Sequence, residues 1–163
     1  MSTLQHLNKE QVFEFFKLFS LLEFGLKSTN YAIPRGKNEI SVKADLRKWK
    51  TDISKSVSHE NLAGVKTHVE YLSSYPTKRQ VIKDGKLDWE PVVRSKRKLQ
   101  ITEIVDLLIT TRNNLFHGGK YPSGPVDNPE RNNKLISACS EILRELIKMD
   151  SKVYEKIKEV ETI

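Results

Sequence analysis

The run from Leu99 to Phe116 constrains this chain most, because its apolar side chains recur at helical spacing and a charge falls among them. At about 100° per residue, one face of the predicted helix collects Ile101, Ile104, Val105, Leu108, Leu115 and Phe116. Arg112 falls inside that face, and Asn113 and His117 lie side by side on its flank. A charge on a buried face is costly unless it is paired, so Arg112 requires a partner or a function.

Other segments repeat the helical pattern and predict an all-α chain. The first helix begins at an N-cap, Asn8, and runs to about Ser28. A second helix is expected from Ser41, a third over about 58–73, and a last long one from the cap signal Asn128-Pro129, with a final segment after Asp150. The apolar stripe of the first helix, which we expect in the core, is Val12, Phe15, Phe16, Phe19, Leu22 and Leu26.

Residues 80–89 instead predict a β-hairpin, because Asp84-Gly85 is a two-residue turn that matches strand twist. This turn sets Ile82 opposite Leu87 and Gln80 opposite Trp89. The resulting apolar face should lie on the helices, since a lone hairpin must dock or pair with another chain to be stable. The predicted fold is therefore a four- to five-helix up-and-down bundle, with a small hairpin insertion around residues 80–90, in a single domain over residues 1–163.

Composition narrows the class of protein. The chain carries 28 basic and 21 acidic residues, a net charge of +7, which favours a polyanionic partner such as RNA. Its apolar stretches are broken by charges and no secretion signal is evident, so we expect a cytoplasmic protein without a membrane span. The single cysteine excludes an internal disulfide, and four scattered histidines argue against a metal site.

Most of the excess positive charge is concentrated between residues 78 and 98. This tract holds eight basic and three acidic residues, the basic ones being Lys78, Arg79, Lys83, Lys86, Arg94, Lys96, Arg97 and Lys98. Two interpretations stay open. The tract is a solvated loop, or it is a surface that binds RNA phosphates beside the end of the predicted helix over Leu99 to Phe116. In the second, Lys78, Arg79, Arg94, Lys96, Arg97, Lys98 and, beyond the helix, Lys120 are the candidate RNA contacts.

The stretch Arg112 to Gly119 also carries a family resemblance. Arginine, a polar residue, three more residues and histidine, late in an apolar helix and followed by Gly-Gly, resemble the motif of the HEPN superfamily. Those are small all-α domains, many of them metal-independent ribonucleases of toxin–antitoxin, anti-phage and RNA-processing systems. The resemblance implies a HEPN-like bundle, RNA as substrate, no metal or other cofactor, and a composite Arg/His site at a homodimer interface.

Carried over by position, the catalytic residues are Arg112, Asn113 and His117, and the acidic residue common in the first helix is Glu23. Histidine titrates near neutrality and serves as acid or base, while arginine offers a charged planar fork to phosphate oxygens. RNA cleavage asks for both an acid and a base, and the motif supplies one histidine. A two-fold dimer supplies the second.

Alternatives remain at each position. Glu23 pairs either with Lys27, four residues on, or inward with Arg112. Arg112 is either catalytic or half of a structural ion pair. In the structural case His117 caps the helix end, and the chain is a non-catalytic RNA- or nucleotide-binding module or a dimerisation domain. One family branch has a modified tyrosine two residues after the histidine, where this chain has Gly119, so that regulation does not carry over. A separate antitoxin or regulatory protein is the further partner to consider.

Overall fold

The computed structural model describes residues 7–36, 41–92, 98–116 and 128–161. Within these ranges the chain is mostly helical, and two small antiparallel sheets of two strands accompany the helices. In chain order the elements are α1 (Lys9–Lys27), β1 (Ala32–Pro34), β2 (Val42–Ala44), α2 (Leu46–Ser56), a 3₁₀ turn (Ala63–Val65), α3 (Lys66–Ser74), β3 (Lys78–Lys83), β4 (Lys86–Pro91), α4 (Ile101–Phe116), α5 (Pro129–Met149) and α6 (Ser151–Lys158). The helical class is thus confirmed, with six α-helices in the described residues where four to five were predicted.

Helices α1 and α5 form the centre of the structure. They pack on each other, α6 covers both, α3 lies on α5, and α2 lies on α4. Their facing stripes merge into one apolar core, whose largest fully buried side chains include Trp49, Phe15, Leu22, Leu26, Leu72, Ile104, Leu107, Leu108 and Ile136. The core holds the end of α4 against α1, which determines where the motif residues lie.

Side-chain caps explain why the long helices begin where they do. The Asn8 carboxamide oxygen accepts from the backbone N–H of Glu10 and Gln11, and Asn128 accepts from the N–H of Arg131 with Pro129 at the first helical position. Asp150 caps α6 by accepting from Val153. Each cap satisfies N–H groups that the helix itself leaves unpaired, so these three predicted starts are confirmed.

The predicted start of the second helix at Ser41 is wrong. Residues 42–44 pair with residues 32–34 in a short antiparallel sheet, and Asp45 then caps α2 through the Lys48 N–H. The third helix is also shorter than predicted. It is preceded by the 3₁₀ turn containing Gly64, and its α-helical part begins at Lys66.

The hairpin of β3 and β4 has the predicted register. Ile82 pairs with Leu87 and Gln80 with Trp89, and Asp84 and Gly85 form the turn with positive φ angles. The expectation that its apolar face lies on the helices fails at the tip, where Ile82 is 78% and Leu87 55% exposed. The base of the hairpin contacts α4 through Thr77 and Lys78, and the tip extends beyond these contacts.

In the described part of the chain, none of the helices combines the length and apolar character needed to cross a lipid bilayer.

Candidate active site at the end of α4

Arg112 is held at the junction of α4 and α1. Its Nη2 donates to the Glu23 carboxylate of α1, its Nη1 donates to the Asn113 side-chain oxygen at 3.1 Å, and its guanidinium carbon lies 5.7 Å from the centre of the Phe19 ring. The pairing of Glu23 with Arg112 is therefore confirmed over the alternative with Lys27. It brings together two residues that are 89 positions apart in the chain.

The ion pair lies at the edge of the core. The Arg112 side chain is 27% exposed and that of Glu23 is 32% exposed. The two contacts at Nη1 and Nη2 use two of the five N–H donors of a guanidinium, and the remaining exposure turns part of the group toward solvent. The Arg112 guanidinium is thus held in a fixed orientation by its partners and remains partly accessible from solvent.

Asn113 and Asn114 have different tasks. Asn113 turns its oxygen to Arg112, whereas Asn114 donates from Nδ2 to the backbone carbonyl of Lys78 at 2.7 Å. The second contact binds the base of the hairpin to the last turn of α4. The expected partner of Asn113, the imidazole of His117, lies outside the described residues, and the described helix ends at Phe116.

An apolar groove lies at Phe116, one helical turn beyond Arg112 on α4. It has a volume of about 350 Å³ and is lined by Leu7, Lys9, Val12, Phe13, Phe16 and Phe116. Phe16 and Phe116, both predicted to lie in the core, are instead 46% and 41% exposed, and their ring centres lie 5.0 Å apart. The helical wheel placed them on the correct stripes, but the two rings contact each other and remain exposed at the surface, so the core prediction is wrong for both.

The described residues of the basic tract lie in two places, on the β3–β4 hairpin and before the start of α4. On the hairpin, Arg79 pairs with Glu90 at 2.5 Å and Lys83 approaches Asp88 at 3.5 Å. Among the predicted RNA contacts that the structure describes, Lys78 lies at the last turn of α4, where its carbonyl accepts from Asn114. The described hairpin is consequently closer to neutral than the sequence of the whole tract suggests.

Lys98 does not lie beside Arg112. It precedes α4, and the twelve helical residues from Ile101 to Arg112 alone separate the two ends by roughly 16 Å at the usual rise. The expectation that the tract lies next to the motif is therefore wrong for Lys98. Arg94, Lys96, Arg97 and Lys120 lie outside the described residues.

In the ranges that the structure describes, no group of three His, Cys, Asp or Glu side chains lies close enough together to hold a metal ion. His59 is engaged elsewhere, with its Nε2 2.7 Å from the Leu99 carbonyl oxygen. Since a carbonyl only accepts, Nε2 carries the proton.

Cys139 is fully buried in α5, and burial raises the pKa of its thiol to about 12, so it behaves as a core residue, as predicted.

The sequence did not indicate three of the contacts that position the motif. They are the Phe19 ring beside Arg112, the bond from Asn114 to Lys78, and a buried pair of hydroxyls between Thr77 and Thr111. Only Thr111 gave a signal, because a helical wheel places it on the buried face of α4.

A comparison of the chain with protein-family models, with curated proteins and with solved structures finds no match.

Proposed function

We propose that the chain is a metal-independent endoribonuclease of the HEPN type, a toxin or anti-phage effector that works as a homodimer. The observation that carries the proposal is the anchoring of Arg112 by Glu23 at the partly exposed end of α4, directly before the segment that contains His117. A guanidinium fixed in this way is suited to the phosphate that gains charge during cleavage.

The chemistry follows from the groups of the motif. A base removes the proton of the ribose 2′-hydroxyl, and the oxygen attacks the adjacent phosphorus. The bond to the 5′-oxygen breaks as an acid protonates that oxygen, which leaves a 2′,3′-cyclic phosphate and a free 5′-hydroxyl. His117 is the titrating group of the motif, and Arg112 stabilises the extra charge on the phosphorane.

Two copies meet the demand for two titrating groups. Arg112 and His117 are five residues apart, which is about 140° around a helix, so one straight helix does not direct both to the same oxygen. In a two-fold dimer, Arg112 of one copy and His117 of the other approach the same phosphate, and the second histidine supplies the missing acid or base.

A second candidate function is a non-catalytic RNA-binding or dimerisation domain. It is favoured by the contacts of Arg112, which meets Glu23, Asn113 and the Phe19 ring and so resembles a structural ion pair. In this case the charge is there to orient α4 against α1, and His117 only ends the helix.

The test is cleavage of a mixed RNA by wild type and by His117→Ala, with EDTA in every reaction. His68→Ala is the matched control, because His68 lies on α3 and faces a groove that is lined by residues of α1, α3 and α5. We expect wild type and His68→Ala to cleave alike and leave cyclic-phosphate ends, and His117→Ala to lose about 100-fold or more of the rate, as removal of a general acid or base does.

Equal cleavage by all three proteins would identify a contaminant and reject the assignment of His117. No cleavage by wild type, together with RNA binding that survives His117→Ala, would replace the nuclease with the binding module.

A further inference from the structure

The ring of Tyr75 is exposed although its backbone is fixed. Tyr75 directly follows α3 and is 50% exposed. Its ring lies against that of Tyr71, with the ring centres 4.9 Å apart and the planes inclined at 37°. On α5, Arg131 donates from Nη2 to the carbonyl oxygens of Tyr75 and Pro76, at 3.5 and 3.3 Å. The carbonyl oxygen of Arg131 in turn accepts from the Tyr71 hydroxyl at 3.3 Å. An aromatic ring is thus presented to solvent on a fixed support.

The segment that carries this ring is joined to the last turns of α4. Thr77 bonds to Thr111 inside the protein. Tyr75 precedes Thr77 by two residues, so the Cα atoms of these two residues lie within about 7 Å of each other. The exposed ring therefore lies near the helix end that carries Arg112, which leaves α4 about 100° further around than Thr111.

Two cations accompany the ring. Lys78 is exposed, and the bond from Asn114 to its carbonyl oxygen places it at the last turn of α4. Arg131 donates to carbonyl oxygens, which have no formal charge, so these bonds do not neutralise it. The neighbouring Glu130 is paired instead with Lys134, at 2.8 Å. The surface formed by Tyr75, Lys78 and Arg131, called here the tyrosine platform, is consequently aromatic and positive.

This combination fits a single strand of RNA. Unpaired bases stack on exposed tyrosine rings, and lysine and arginine attract the phosphates that link them. Bases inside a double helix are already stacked on each other and do not offer a face to the ring. A cationic ligand would be repelled by the two positive side chains.

We propose that Tyr75 stacks on a base of single-stranded RNA, while Lys78 contacts a phosphate of the same strand and Arg131 adds to the positive potential. The inference rests on the proposed function for its substrate and deepens it, since a strand that meets both Tyr75 and Arg112 crosses the last turn of α4. That turn is about 10–12 Å wide with its side chains. The tyrosine platform therefore holds unpaired RNA beside the candidate active site and selects it over duplex.

The two proposals can fail separately, because stacking is measured by binding and not by cleavage. The probe is a short, fluorescently labelled oligouridylate with 2′-O-methyl groups, which lacks the hydroxyl that attacks the phosphorus. Binding through Tyr75 without cleavage of ordinary RNA rejects only the nuclease. Cleavage of ordinary RNA by a protein whose binding does not depend on Tyr75 rejects only the stacking.

The first experiment measures the dissociation constant of this probe by fluorescence anisotropy for wild type, Tyr75→Ala, Tyr75→Leu and Tyr75→Phe. Tyr154→Ala is the matched control, because Tyr154 lies on α6 with its ring 5.2 Å from the ammonium group of Lys158. We expect the constant to rise about 10-fold in the alanine and leucine variants, as loss of one stacked base does. Tyr75→Phe, which keeps the ring, and the control should bind as wild type does. Circular dichroism establishes that each variant is folded.

The second experiment separates stacking from charge. An abasic strand of the same length should bind wild type about 10-fold more weakly than the oligouridylate, whereas Tyr75→Ala should not distinguish the two strands. Lys78→Gln should lower the slope of log affinity against log salt by about 0.7, the value for one phosphate of a single strand, and Tyr75→Ala should leave this slope unchanged. A wild type that does not bind the oligouridylate, a Tyr75→Leu variant that binds it normally, or an equal loss on both strands in Tyr75→Ala would overturn the proposal.

Discussion

The Thr77 hydroxyl at the base of the β3–β4 hairpin lies 2.6 Å from the Thr111 hydroxyl on the buried face of α4. The Thr111 hydroxyl donates a hydrogen bond to the Leu107 carbonyl oxygen at 2.8 Å, so Thr77 is the donor in its bond with Thr111. The Cys139 thiol also reaches Thr111, at 3.7 Å. One hydroxyl thus joins the hairpin, α4 and α5 immediately before Arg112, and it does so inside the protein, where an unmade bond is costly.

Thr77→Val tests this connection. The substitution keeps the shape of the side chain and removes the donor, and we expect the free energy of unfolding in urea to fall by about 1 kcal/mol. Thr111→Val should cost more, about 1–3 kcal/mol, because it leaves the buried Thr77 hydroxyl without its acceptor. The double variant should cost less than the sum of the two. Strict additivity would show that the two hydroxyls do not interact in solution.

The ion pair of Arg112 and Glu23 gives a second prediction. Glu23→Gln keeps the size of the side chain and leaves the arginine charge at the edge of the core without a carboxylate. We expect a loss of about 1–2 kcal/mol, between the values for exposed and buried pairs. Glu130→Gln is the control, since its pair with Lys134 is 75% and 60% exposed and should contribute little. Equal effects of the two substitutions in urea unfolding would contradict a special role for Glu23.

The helices and one hairpin could be predicted because local residues determine them. Asn8, Asn128 and Asp150 cap their helices with their own side chains, and Asp84-Gly85 fixes the register of β3 and β4 through the turn. These signals act over a few residues and do not depend on the rest of the fold. The short sheet of β1 and β2 gave no such signal, because each strand has three residues and its stability depends on packing against α1.

The site was predictable only in part for the same reason. A wheel shows that Arg112 lies on an apolar face and Glu23 at the edge of a stripe, but their contact depends on how α1 crosses α4. The exposure of Phe16 and Phe116 depends on where the bundle ends, which no periodicity reports. The contact of Asn114 with a backbone carbonyl is invisible in side-chain patterns altogether.

Gly25 makes a close helix contact that gives a third prediction. A methyl group at this position would lie 2.8 Å from the Val153 Cγ1 and 3.1 Å from the Val153 carbonyl oxygen. Overpacking of this kind costs about 1–3 kcal/mol, which exceeds the gain of about 1 kcal/mol from replacing a helical glycine. Gly25→Ala should therefore lower the urea midpoint. Gly64→Ala, with open space around it, should not, and a neutral Gly25→Ala would show that α1 and α6 separate easily.

Tyr31 makes the stability of the fold depend on pH in the alkaline range. Burial, with the nearby carboxylates of Asp150 and Asp52, raises the pKa of Tyr31 to about 12, against about 10 for a free tyrosine. The neutral phenol is therefore favoured in the folded state. Its stabilising effect is complete below the unfolded value and is lost as the pH rises through the folded one.

We expect a late step in the ultraviolet titration of the native protein, which shifts down to about pH 10 when the chain is unfolded. The step should be smaller in Tyr31→Phe, where Tyr71, whose pKa is also raised by burial, still contributes. The free energy of unfolding of wild type should fall more steeply in this alkaline range than that of Tyr31→Phe, which has no phenol at position 31. If the two proteins lose stability in parallel, the carboxylates of Asp150 and Asp52 do not oppose the phenolate in solution. Tyr31, which directly precedes β1, would then contact α2 and the start of α6 less closely than in the structure.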